Sequence, residues 1–107
     1  MIDKIKIGGI IYNVENVERL QGSELEALDG KICFAKSTIT LNTSLNDQTR
    51  LQTLFHKILH GIFMQSGHVQ TEDVVDSTAY GILQVLRDNH AIMDAVMELN
   101  KGMEAVK

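Results

Sequence analysis

The strongest constraint on the fold is a change of hydrophobic period near Asn46. Upstream, apolar and polar residues alternate, as on strands with one buried face. Downstream, apolar residues recur at i, i+3, i+4 and i+7, as on amphipathic helices. Lys4-Ile5-Lys6-Ile7, the turn signal Gly8-Gly9 and Ile10-Ile11-Tyr12-Asn13-Val14 predict a hairpin within residues 1–18. Lys31–Ala35 and Thr38–Asn42, flanking a polar turn at Lys36-Ser37, predict a second. The stretch Glu15–Asp29 is ambiguous, since Leu20, Leu25 and Leu28 suit a short helix or an irregular packed segment. Strands followed by helices define an α+β class. The expected architecture is a small antiparallel sheet of two hairpins packed on a helix pair, with a further C-terminal helix.

The first helix carries Leu51, Leu54, Phe55, Ile58, Leu59, Ile62 and Phe63, with Asn46 or Ser44 as N-cap and Ser66-Gly67 as its end. The second runs from about Glu72 to Arg87. Thr71 caps it, Glu72 and Asp73 complement its dipole, and Val75, Ala79, Ile82 and Leu86 form its stripe. After Asp88-Asn89 a third helix places Ile92, Val96, Leu99 and Met103 on one side, and Met93, Met97 and Met103 offer adaptable contacts.

At 107 residues the chain has the length of one domain, spanning 1–107. It has no proline, so it holds no proline-rich linker. A net charge of −4 without a basic stripe argues against nucleic acid as a partner. Apolar runs are too short to span a membrane, and the first residues lack the apolar core of a secretory signal. Cys33 is the only cysteine, which excludes an intrachain disulfide and favours a cytoplasmic location. It also leaves histidine and carboxylate as the metal ligands to look for.

Of four histidines, His56 and His60 stand four apart on the first helix. Imidazoles at i and i+4 lie one turn apart on one face and can reach one metal ion. They point about 120–160° away from an apolar stripe centred near Ile58 and Ile62, and share their face with Thr49 and Thr53. Across the helix hairpin, Asp76 lies at a height similar to His60. Two histidines and a carboxylate with an open position form the ligand set of a catalytic zinc site. Each residue also has a plainer reading: a solvated histidine pair, and a first-turn acid on a helix dipole. Glu72 and Asp73 are alternative ligands whose positions suit capping better. His68 and His90 read as loop or cap residues, because His68 follows His60 by eight positions where the extended three-histidine motif needs six.

The stretch Thr53-Leu54-Phe55-His56-Lys57-Ile58-Leu59-His60-Gly61-Ile62 resembles the active-site helix of small zincin-like metallopeptidase domains of the ImmA/IrrE type. Val75-Asp76-Ser77-Thr78-Ala79-Tyr80-Gly81-Ile82-Leu83 is similar to the following helix, where an acidic residue three before an alanine is the third ligand. Leu28–Ile32 and Ile39–Asn42 resemble the preceding hairpin of short phage or prophage members, so the likeness covers roughly residues 8–90. It implies a minimal zincin-like fold and a zinc ion on His56, His60 and Asp76. It also places Lys57 where the family has its general-base glutamate. That glutamate takes a proton from metal-bound water, and lysine brings positive charge where a base is needed.

The resemblance therefore implies a catalytically degenerate zincin-like protein. It would bind a protein or peptide partner near the metal site or along a sheet edge, Thr38–Asn42 or Lys31–Ala35. The alternatives are an active zinc metallopeptidase with an atypical base, and a non-metal interaction or regulatory module. The third helix would close the core or form a homodimer.

Overall fold

The computed structural model describes residues 2–24 and 28–105; Leu25 lies outside them. The strands are β1 (Lys4–Ile7), β2 (Ile10–Val17), β3 (Gly30–Cys33) and β4 (Thr38–Asn42), followed by helices α1 (Asp47–Ser66), α2 (Glu72–Asp88) and α3 (His90–Ala105). The α+β class is as the change of period predicts.

Both hairpins form. Gly8 and Gly9 take φ of 57° and 92°, the paired positive values of a tight turn that matches strand twist. The Gln65 carboxamide fills the space a side chain at Gly8 would need, and its Nε2 donates to the Ile7 carbonyl at 2.7 Å. The second hairpin is shorter than expected, because Phe34 and Ala35 belong to the turn, closed by Ser37 N–H donating to the Phe34 carbonyl at 3.3 Å.

The sheet is mixed, where two hairpins alone predict an antiparallel one. Its order is β1-β2-β4-β3, and β4 runs parallel to β2 with Val14 opposite Ile39 and Asn16 opposite Leu41. The connection between the parallel strands β2 and β4 includes β3, which gives the length that a parallel pair requires. β4 is therefore interior and is buried on both faces, including Thr40 and Asn42. Asn42 is satisfied there: its Nδ2 donates to the Leu28 carbonyl at 3.1 Å, and its Oδ1 accepts from Ser44 N and Oγ. Of the two strands considered as edges, only β3 is one.

α1 begins at Asn46, whose side chain accepts from Thr49 N–H at 2.8 Å, and ends at Gly67 in the left-handed region, φ 75°. Its apolar residues divide into two faces. Leu54 and Ile58 pack on Ile7, Tyr12, Val14, Ile39 and Leu41 of the sheet. Phe55, Leu59 and Phe63 pack on Val75 and Ala79 of α2. Ile62, expected at the centre of a single stripe, is 44% exposed. On α2 the third buried position is Leu83, and Ile82 is exposed. α1 lies close against the sheet at Gly30, where an added Cβ would meet Thr53 Cγ2 at 2.8 Å and the Thr40 carbonyl oxygen at 3.0 Å.

Ile39 is fully buried at the centre of the sheet-side core. Ile39→Ala is expected to lower stability by about 2–5 kcal/mol, through lost burial and the cavity left behind. A shift of the urea midpoint at unchanged slope would measure it. A loss under about 0.5 kcal/mol would show that this core is not packed as described.

α3 does not close the core. It touches α2 and no other described element. Among the described residues, no helix is long and apolar enough to cross a membrane.

Candidate metal centre

The α1–α2 hairpin places side chains in one antiparallel register, with His60 beside Glu72 and His56 beside Asp76. His60 Nε2 lies 2.8 Å from Glu72 Oε1, and His56 Nε2 lies 3.0 Å from Glu72 Oε2. The imidazoles meet each other at 3.1 Å between their Nε2 atoms, with ring centroids 4.8 Å apart. Asp76 Oδ1 lies 3.3 Å from His56 Nδ1, the ring nitrogen facing away from His60. Three donors of the described residues thus converge: His56, His60 and Glu72.

This differs by one helical turn from the expected pairing of His60 with Asp76. Glu72 does occupy the first turn of α2, but Thr71 provides the cap, accepting from Val74 N–H at 3.4 Å. That leaves the Glu72 carboxylate available to both imidazoles. Asp76, expected as the third ligand, lies against the far nitrogen of His56, and Glu72 is the carboxylate that faces both imidazoles. The useful signal was the spacing of Glu72 and Asp76 themselves: four apart, they share one face of α2 just as the histidines share one face of α1.

The arrangement has a specific electrostatic logic. When Asp76 accepts the Nδ1 proton of His56, the Nε2 lone pair is turned toward a carboxylate oxygen and a second imidazole. Acceptors facing one another at this distance require a proton or a cation between them. Tetrahedral zinc with bonds of about 2.0–2.1 Å separates its ligand atoms by roughly 3.3 Å. With one atom taken from each residue, the three donors lie within 4.8 Å of one another, so a zinc ion would require the Glu72 carboxylate, whose two oxygens face different imidazoles, to turn one oxygen toward both. A carboxylate on the outer nitrogen of a ligating histidine fixes its tautomer and orientation. Burial holds His60 below the usual histidine range despite the opposing pull of Glu72, favouring the neutral, lone-pair-bearing form. The histidines are recessed, with side chains 18% and 23% exposed, while Glu72 and Asp76 stand at the rim, 71% and 70% exposed.

Beside the cluster, a cleft of about 340 Å³ is lined by Asp29 and Gly30, Thr53, His56, Lys57 and Asp76. It lies between the start of edge strand β3 and the two helices. Lys57 is half-buried in it, and burial holds its ammonium below the ordinary lysine range, with Glu72 and then Asp29 pulling the other way. His68 and His90 are exposed and outside the cluster.

Comparison with family models, curated proteins and solved structures finds no match for this chain.

Proposed function

We propose that this protein is a zinc-binding, catalytically degenerate zincin-like domain that holds an extended peptide along β3 beside the metal. The carrying observation is the convergence of His56, His60 and Glu72 on one point, with Asp76 orienting His56. Glu72 takes the third-ligand place in this reading, and Asp76 supports it from behind. Zinc held by these residues would supply Lewis acidity. Lys57, which lines the adjoining cleft with His56, supports binding over hydrolysis, because its amine lacks the paired oxygens of the carboxylate base that the resemblance calls for. The resemblance of residues 53–62 and 75–83 to ImmA/IrrE-type domains of phages and prophages supports the same reading, and with it a cytoplasmic location.

The peptide would add as a strand at β3, the free edge bordering the cleft, with backbone hydrogen bonds giving affinity and the cleft admitting a side chain. Cys33, the single cysteine, lies on β3 and provides a labelling position. A fluorophore on Cys33 is expected to respond saturably to an unfolded polypeptide in the presence of zinc, with no cleavage products. Chelator-sensitive cleavage by the unaltered protein would overturn the degenerate reading in favour of an active metallopeptidase. No zinc binding at all would favour an interaction module without metal.

A further inference from the structure

α3 runs out from the body of the molecule with its apolar seam uncovered. Only Asn89 separates it from α2, whereas an antiparallel helix hairpin takes about two to five connecting residues. The helix therefore cannot fold back on α2, and the molecule extends 50 Å along one axis against 30 and 27 Å across. Ile92, Val96, Leu99 and Met103 are 42%, 52%, 67% and 61% exposed.

Their spacing of four, three and four residues is a coiled-coil seam. It is also palindromic. A two-fold axis between Met97 and Glu98 sets Val96 opposite Leu99 of a second copy and Ile92 opposite its Met103. In this arrangement the two helix dipoles oppose. Alongside the seam, Ala95 and Gly102 are small and, with Leu99 and Met103, line a shallow groove; a Cβ on Gly102 would meet nothing within 4 Å. A second helix can approach closely there. The seam and adjacent Met93 present on the order of 500 Å² per copy, so a pair buries ~1,000 Å², the area a specific interface requires.

We propose that a second copy of this chain covers the seam, with α3 pairing antiparallel to α3 of its partner. The area a symmetric pair would bury, with small Ala95 and Gly102 flanking the seam to allow close approach, supports a second copy as the occupant. Antiparallel pairing also keeps the two bodies at opposite ends, where parallel pairing would crowd them together.

Sedimentation equilibrium on the full chain, with chelator present so that the metal centre plays no part, tests this. Dimers are expected at high micromolar concentration. Leu99→Glu and Val96→Glu are each expected to weaken dimerisation by about 100-fold or more, with helical content unchanged by circular dichroism. In a Cys33→Ser background, Ile92→Cys with Met103→Cys is expected to form disulfide-linked dimers on oxidation, and Ile92→Cys alone is not. A monomer at every concentration, a dimer indifferent to Leu99→Glu, or efficient linkage through Ile92→Cys alone would each overturn the proposal.

Discussion

Zinc at a hundredfold excess over its dissociation constant is expected to raise the unfolding temperature of the metal-free protein by about 10–20 °C. At that excess, linkage adds about 2.7 kcal/mol to a folded state that alone assembles the site. For a domain near this size, each kcal/mol moves the midpoint by about 4–8 °C. The converging side chains come from two helices, His56 and His60 from α1 and Glu72 from α2, so an unfolded chain does not hold them together. His60→Ala should abolish the shift. Asp76→Asn should preserve it but weaken zinc affinity about 10- to 100-fold, as loss of an orienting carboxylate does. Scanning calorimetry with and without zinc measures each value. An Asp76→Asn loss as complete as that of His60→Ala would make Asp76 the ligand and Glu72 the bystander.

The second large effect is a gain of function. Lys57→Glu is expected to convert an inert protein into a slow, zinc-dependent peptidase, with a rate about 10²–10⁴ above that of the unaltered chain. Position 57 faces the cleft that borders β3, close to the histidines. A carboxylate there would line the same cleft as His56 and Gly30 and would supply the proton acceptor that lysine does not. The substitution also exchanges a half-buried cation beside the metal centre for an anion, which should tighten zinc binding. Cleavage of a quenched fluorescent peptide, abolished by chelator, is the readout. If the unaltered protein cleaves equally fast, Lys57 is not a lost base and the degenerate reading fails.

Much of the fold was legible because it follows from local periodicity. The α1 boundaries, the Asn46 and Thr71 caps and the glycine turn of the first hairpin all appear where spacing predicts them. What periodicity does not carry is pairing between distant segments. Nothing local says that β4 enters between β2 and β3, and this is why the sheet is mixed and Thr40 is buried. Nor does one helix reveal that it serves two neighbours: the residues around Ile58 looked like one stripe, yet they divide between the sheet and α2.

The candidate site shows the same division. The histidine pair is a local feature, one turn on one helix, and it was readable. The partner carboxylate depends on the register between two helices. A one-turn displacement brings Glu72 to the imidazoles and moves Asp76 behind His56. The third helix was readable as a seam of Ile92, Val96, Leu99 and Met103, but only the structure shows that α2 alone among described elements touches it.

The most direct test of the metal centre is zinc stoichiometry. Protein purified free of metal and titrated with zinc is expected to bind about one ion per chain. X-ray absorption at the zinc edge should show two imidazoles and carboxylate oxygen in its shell, and the His56→Ala/His60→Ala pair should bind none. Substoichiometric zinc, or zinc retained by that double variant, would contradict the account.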